Sequence, residues 1–312
     1  MRHPDVVPEA GLPESVTIYE VGPRDGLQNE KSFIPTDAKI EFVKRLIDAG
    51  LTTIEVTSFV SPKWVPQLAD AAEVLAGLDL NGPVRMPVLV PNERGLDRAL
   101  EAGVTWIAIF GSATEGLARA NLNQTLDGQF AMFEPVVRRA RDLGLDVRAY
   151  VSMCFGDPWQ GNVPIEQVVS VGKRLFDLGA SQLSIGDTIG VGTPGHVRAL
   201  IAAFVEAGIG VESLAVHFHD TYGQALANAY AALQAGVRTF DSSAGGLGGC
   251  PFAPGATGNL ATEDLVWMLE GLGIPTGVRM EALIETSVWM AGLLGRPSES
   301  RVLRALTARR DS

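Results

Sequence analysis

The chain has 312 residues and a mass of 33.1 kDa; 46% of them are hydrophobic and 20% charged, a balance that excludes a disordered chain. Its 25 Lys and Arg against 36 Asp and Glu give a net charge of −11, which excludes an extended nucleic-acid surface but not an anionic small ligand held by a few local cations. Two cysteines, Cys154 and Cys250, cannot build a disulfide framework and fit a reducing compartment.

Residues 1–15 are polar and contain proline, with no apolar signal core, and no run of about 18 apolar residues follows anywhere. The expectation is a cytoplasmic protein without a membrane partner, in which residues 1–15 form a polar extension. From there a joint recurs: an amphipathic stretch, a glycine, then a short apolar run. It appears at Ala49-Gly50, Ala102-Gly103, Leu143-Gly144, Leu178-Gly179 and Ala235-Gly236. Glycine after a helix can take the left-handed conformation that closes the last turn, and the run that follows suits a strand buried on both faces. Eight such strands are predicted, centred near Ile18, Ile54, Val88, Ile107, Val147, Leu183, Ala215 and Thr239. With helices in the gaps, they predict an α/β fold, a (β/α)8 TIM barrel over 16–260, rather than a doubly wound sheet. Helical patterns at 262–271 and 280–294 predict C-terminal helices packed on the barrel within 261–312.

Barrel chemistry gathers on the loops after the strands, so polar residues there carry the most information. Strand one ends in Arg24-Asp25, which reads either as an ion pair bracing a turn or as a functional pair. Strand two carries Glu55 inside an apolar run, where a carboxylate needs a partner; Arg24 is the candidate. Strand six ends at Asp187, an acid at the mouth or a cap for a helix beginning near Pro194. Strand seven ends in His217-Phe218-His219-Asp220. Alternation puts both imidazoles on one face, and the chain has only four histidines. With Asp25 and a carbonyl-type ligand they suit an octahedral divalent cation with open positions. Mg²⁺ or Mn²⁺ is favoured, with Zn²⁺ or Co²⁺ as substitutes. The glycine-rich segment after strand eight, 241–251 and on to Asn259, matches neither a dinucleotide nor a phosphate-loop pattern. Its glycines around Cys250 predict either a flap that delivers a thiol or a surface loop with an incidental cysteine. Cys154 reads as a buried apolar residue.

Four segments together resemble 3-hydroxy-3-methylglutaryl-CoA lyases: 19–30 (YEVGPRDGLQNE), 186–190 (GDTIG), 217–224 (HFHDTYGQ) and 245–263, within a resemblance that runs from Val16 to Leu294. The resemblance implies a metal-dependent lyase that splits this acyl-CoA, or a close branched 3-hydroxyacyl-CoA, into acetyl-CoA and acetoacetate or the matching keto acid. It implies Asp25, His217, His219 and Asn259 as cation ligands. Arg24, Asp25, Glu55, Asp187, His217 and Cys250 are implied as catalytic, with Asp25 or His217 as the base. Gln28, Lys31 and Ser58 are implied at the substrate, Glu20 and Glu263 as supporting residues, and the assembly as a homodimer. Two mouth segments, 114–121 and 150–159, depart from the family's lysine and cysteine patterns. A condensing enzyme using acetyl-CoA and a non-catalytic acyl-CoA-binding barrel are the alternatives.

Overall fold

The apolar runs become strands β1 (Thr17–Glu20), β2 (Thr57–Ser58), β3 (Val88–Leu89), β4 (Trp106–Ser112), β5 (Asp146–Ser152), β6 (Gln182–Asp187), β7 (Leu214–Phe218) and β8 (Thr239–Ser242). The structure is a computed structural model and describes residues 3–249 and 258–308. Strand order is β1-β8-β7-β6-β5-β4-β3-β2, with every pairing parallel. The remaining seam closes at Glu20, whose N–H donates to Thr53 O (3.0 Å) and whose carbonyl accepts from Glu55 N–H (2.8 Å). The sheet is thus the closed barrel that eight strand–helix units predict.

Strand two departs in detail from the expected centre near Ile54. Thr53 and Ile54 pair only through isolated bridges, and the ladder with β3 is confined to Thr57 and Ser58. The cause is Pro87, which accepts from Val56 N–H at 3.0 Å but has no N–H to return.

Between the strands run α1 (Thr36–Asp48), α2 (Ala71–Ala76), α3 (Glu93–Glu101), the single turn α4 (Glu115–Leu117), α5 (Gly128–Asp142), α6 (Ile165–Asp177), α7 (Pro194–Glu206) and α8 (Ala225–Gln234). Their apolar faces press on the barrel, as Phe42, Val43 and Leu46 of α1 do. All five predicted joint glycines have positive φ, from +79° at Gly144 to +119° at Gly179. Gly50 is constrained twice, because a Cβ there would lie 2.2 Å from the Gly277 carbonyl oxygen.

The two expected C-terminal helices are α9 (Thr262–Gly271) and α10 (Met280–Leu294). A third, α11 (Arg301–Thr307), has no counterpart in the sequence reading. It has seven residues and is held by its cap. Ser300 Oγ accepts from Leu303 N–H, while Asp264 of α9 accepts from Ser300 Oγ (2.7 Å) and from the Arg301 and Val302 N–H groups. Among the described residues, no helix is long and apolar enough to cross a membrane.

The two kinds of glycine joint respond differently to a side chain. Gly144 has φ +79° and nothing within 4 Å of an added Cβ, so Gly144→Ala is expected to cost about 1 kcal/mol of backbone strain. Gly50→Ala meets backbone as well and is expected to cost at least about twice as much. Urea midpoints measure both, and equal losses would remove the steric argument.

Candidate metal centre and active site

After β1 the chain makes one wide turn, Gly22–Gly26, that lifts Arg24 and Asp25 over the barrel mouth. Glu20 braces this turn from below. Its Oε1 accepts from Gly22 N–H (2.8 Å) and Ala244 N–H (2.9 Å), and its Oε2 from the Thr262 hydroxyl (2.6 Å). A Cβ at residue 22 would stand 2.6 Å from Glu20 Oε1, so any side chain there would displace this carboxylate. Burial pushes the Glu20 carboxyl up to about 7, against the opposing pull of its three hydrogen bonds.

Asp25 is 16% exposed and bonded on both oxygens. Oδ1 accepts from Arg24 Nη1 at 2.7 Å and Oδ2 from Asn259 Nδ2 at 2.8 Å. Burial favours its neutral form, but Arg24, His217, His219 and the Asn259 amide outweigh burial and hold the carboxyl down at about 2. Strand alternation brings His217 and His219 to the same side, Nε2 to Nε2 at 3.2 Å, with His217 Nε2 3.9 Å from Asp25 Oδ2. One ligand atom from each of Asp25, His217 and His219 lies within 4.8 Å of the others. An antiparallel bridge sets the Asn259 backbone beside that of His219.

This donor set fits a divalent cation. It combines one ionised carboxylate with two imidazoles, and burial, then the neighbouring His217, lower His219 to about 4, so that this ring is neutral near pH 7. Asn259 Oδ1 and His219 Nδ1 are buried with no hydrogen-bond partner among the described residues. The amide oxygen is thus free to serve as a further oxygen ligand. Cys154 lies apart, its thiol donating to the Val151 carbonyl at 2.9 Å and its pKa pushed up by burial, as an inert core residue.

Arg24 is 5% exposed. Its Nε pairs with Glu55 and its Nη1 with Asp25, which leaves Nη2 without a protein acceptor among the described residues. The ion pair expected between Arg24 and Glu55 is present. Glu55 is fully buried, and its second oxygen accepts from Tyr19 (2.8 Å) and Tyr150 (2.6 Å). Burial and then Glu55 raise both phenol pKa values, so both remain donors.

Asp187 ends β6 but does not cap α7, contrary to one of its two sequence readings. The α7 N-cap is Thr193, and Asp187 spends its acceptors on the loop before it, at Val191 N–H (3.0 Å) and Gly192 N–H (2.8 Å). The chain leaves β6 in a loop that needs these acceptors first. Burial lifts the carboxyl to about 6 against those amides. Ser58 is buried on β2 with Oγ accepting from Val60 N–H, Gln28 is half-buried after the wide turn, and Lys31 is exposed. Glu263 is buried in α9, accepting from Gly245 N–H and the Ser287 hydroxyl, with its carboxyl raised to about 7 by burial against those bonds. Cys250 lies outside the described residues.

Four residues of the site were not found by sequence reasoning: Tyr19, Tyr150, Arg148 and Asp241. Asp241 Oδ2 lies 3.1 Å from His217 Nδ1 and accepts from the Ser184 hydroxyl at 3.0 Å, while Oδ1 pairs with fully buried Arg148. The signal was the one used for Glu55, a charge inside an apolar strand.

The HMGL-like family model matches residues 15–289. The cytoplasmic 3-hydroxy-3-methylglutaryl-CoA lyase of Rattus norvegicus is 49% identical over 296 residues, covering 95% of this chain and 86% of its own. The mitochondrial hydroxymethylglutaryl-CoA lyase of Bos taurus is 50% identical over 294 residues, covering 94% and 90%. The crystal structure of hydroxymethylglutaryl-CoA lyase from Pseudomonas aeruginosa superposes with a TM-score of 0.93 at 48% identity, covering 96% of this chain and 99% of that one.

The raised carboxyls of Glu20 and Glu263 make stability fall with rising pH. Each is protonated in the folded chain up to about 7 but ionises near 4.5 when unfolded, so unfolding between these values releases a proton. Urea unfolding of Glu263→Gln is expected to lose less stability between pH 5 and pH 7 than the unsubstituted protein. An equal loss in both would exclude Glu263 as a source.

Proposed function

The chain belongs to the HMGL-like family, and on that premise we propose that it is a divalent-cation-dependent lyase cleaving 3-hydroxy-3-methylglutaryl-CoA to acetyl-CoA and acetoacetate. The observation that carries this reading is the meeting of Arg24, Asp25, His217 and His219 at the carboxyl ends of β1 and β7, in a chain half identical to such lyases over nearly its full length.

Asp25, His217, His219 and the Asn259 amide oxygen hold the cation in this reading, with Mg²⁺ or Mn²⁺ favoured and Zn²⁺ or Co²⁺ as substitutes. When bound, the cation supplies a Lewis acid that lowers the pKa of the substrate's tertiary hydroxyl. Of the two candidate bases, Asp25 takes that hydroxyl proton, because His217 gives Nε2 to the cation and Nδ1 to Asp241. The oxygen's electron pair then becomes the new ketone C=O, and the bond between C2 and C3 breaks. Its electrons pass into the thioester enolate. Arg24 meets the enolate oxygen through Nη2, and it keeps its own proton because a guanidinium does not ionise here. Glu55, fixed by two tyrosine hydroxyls, keeps the guanidinium plane in place. The enolate carbon takes its proton from the Cys250 thiol, giving acetyl-CoA.

Asp187 keeps a catalytic place at the mouth, through the 191–192 loop that it ties down rather than through Arg24. Gln28, Lys31 and Ser58 line the approach of the acyl-CoA, and the two departing mouth segments leave a close branched 3-hydroxyacyl-CoA as a second substrate. A homodimer and a cytoplasmic setting complete the reading. The setting rests on the low cysteine content, while relatives carry both cytoplasmic and mitochondrial names.

Incubation with Mg²⁺ and 3-hydroxy-3-methylglutaryl-CoA is expected to yield acetyl-CoA and acetoacetate, to stop with chelator and to resume with Mn²⁺. No product from this thioester or from branched analogues would overturn the lyase. Product surviving complete chelation would overturn the cation.

The thiol has its own test. Cys250→Ala is expected to lower turnover by about 10²- to 10⁴-fold with Mn²⁺ affinity by calorimetry unchanged. Unchanged turnover would remove the thiol from the reaction.

A further inference from the structure

We propose that Asp241, anchored by Arg148 and Ser184, is a positioning residue that fixes the tautomer of His217 and so aims its Nε2 lone pair at the cation site. The proposal rests on the lyase reading only for what the cation does afterwards.

The argument is one of donors and acceptors. An ionised carboxylate only accepts. Asp241 Oδ1 is taken by Arg148 Nη2, and Oδ2 by the Ser184 hydroxyl at 3.0 Å and by His217 Nδ1 at 3.1 Å. The third contact is a hydrogen bond only if Nδ1 carries the hydrogen. A neutral imidazole with hydrogen on Nδ1 has its lone pair on Nε2, the atom that faces His219 Nε2 and Asp25. The opposite tautomer would set a lone pair against a carboxylate and drive a hydrogen into the cation site. His219 has no such partner, since its Nδ1 is buried and unbonded among the described residues. One imidazole of the pair is therefore set by a carboxylate, and the other has no such carboxylate among the described residues.

Arg148 keeps that carboxylate charged and still. It is wholly buried, with its guanidinium carbon 3.7 Å from the Tyr19 ring centre and 4.9 Å from that of Tyr150. The same two tyrosines donate to Glu55, which holds Arg24. The two rings thus sit between two ion pairs, one under a cation ligand and one under the guanidinium that faces substrate.

The test is Asp241→Asn, read by ¹⁵N histidine spectra of the metal-free protein and by Mn²⁺ calorimetry. The retained amide oxygen faces Arg148, so the new NH₂ faces His217 Nδ1 and donates to it, which moves the ring hydrogen to Nε2. The expected result is an Nδ1–H tautomer in the unsubstituted protein, an Nε2–H tautomer in the variant, and Mn²⁺ affinity weakened about 10- to 100-fold. Ser184→Ala, which leaves the Asp241–His217 bond, is expected to keep the tautomer and lose less than about threefold. An Nε2–H tautomer in the unsubstituted protein overturns the proposal, and that measurement stands even if Asp241→Asn does not fold. Affinity within twofold in Asp241→Asn, or an equal loss in Ser184→Ala, overturns it too. None of these readouts uses turnover, so a failed cleavage assay leaves them intact.

Discussion

Charge inside an apolar barrel is tolerated only beside an opposite charge, and this constraint orders everything above it. Glu55, Arg148 and Asp241 are fully buried and Arg24 nearly so. Removing any one would leave its partner as an uncompensated charge in low dielectric. Tyr19 and Tyr150 serve both ion pairs, with hydroxyls on Glu55 and ring faces against Arg148, whose Nε and Nη1 have no hydrogen-bond acceptor among the described residues. The wide turn after β1 and the His217 ring then have little freedom in where they stand.

The C-terminal helices serve the mouth in a second way. Gly245, at φ +70°, opens the glycine-rich segment after β8. Its N–H is held by Glu263 of α9, which Ser287 of α10 supports, and its carbonyl accepts from Ser298 and Glu299 just before α11. Arg301 of α11 also pairs with Asp220, directly after His219. All three appended helices thus converge on the segment between β8 and Asn259 or on the end of β7.

Most of the barrel was legible because each joint repeats one physical signal, a left-handed glycine followed by a run too short for a helix. The signal failed at β2, where Pro87 on the neighbouring strand removes a ladder donor that the reading of residues 53–57 did not consult. It failed again at α11, whose seven residues depend on Ser300 and Asp264 rather than on periodicity. The histidine pair was legible from strand alternation. Asn259 entered as a ligand only through family resemblance, since nothing in a run of glycines marks which neighbour ligates, whereas the glycines around Cys250 already pointed to a thiol that a flap could deliver. Asp241 and Arg148 were missed for a different reason. Asp241 stands at the edge of a glycine-rich stretch, and Arg148 has no partner close by in sequence, since Asp241 lies on a strand 93 residues away.

The seam at Glu20 carries a consequence for how the protein comes apart. β2 and β3 have two ladder residues each, and β1 meets residues 53–55, just ahead of β2, through two backbone hydrogen bonds, whereas β4 and β5 pair over seven residues. Local opening follows the weakest pairing, so amide hydrogens at Ile54 and Glu55 belong to a unit that exchanges before those of β4 to β7. Glu55 sits on that flank and Arg24 depends on it. On warming, the guanidinium loses its anchor while most of the barrel is still paired, and inactivation becomes an event separate from, and earlier than, global unfolding.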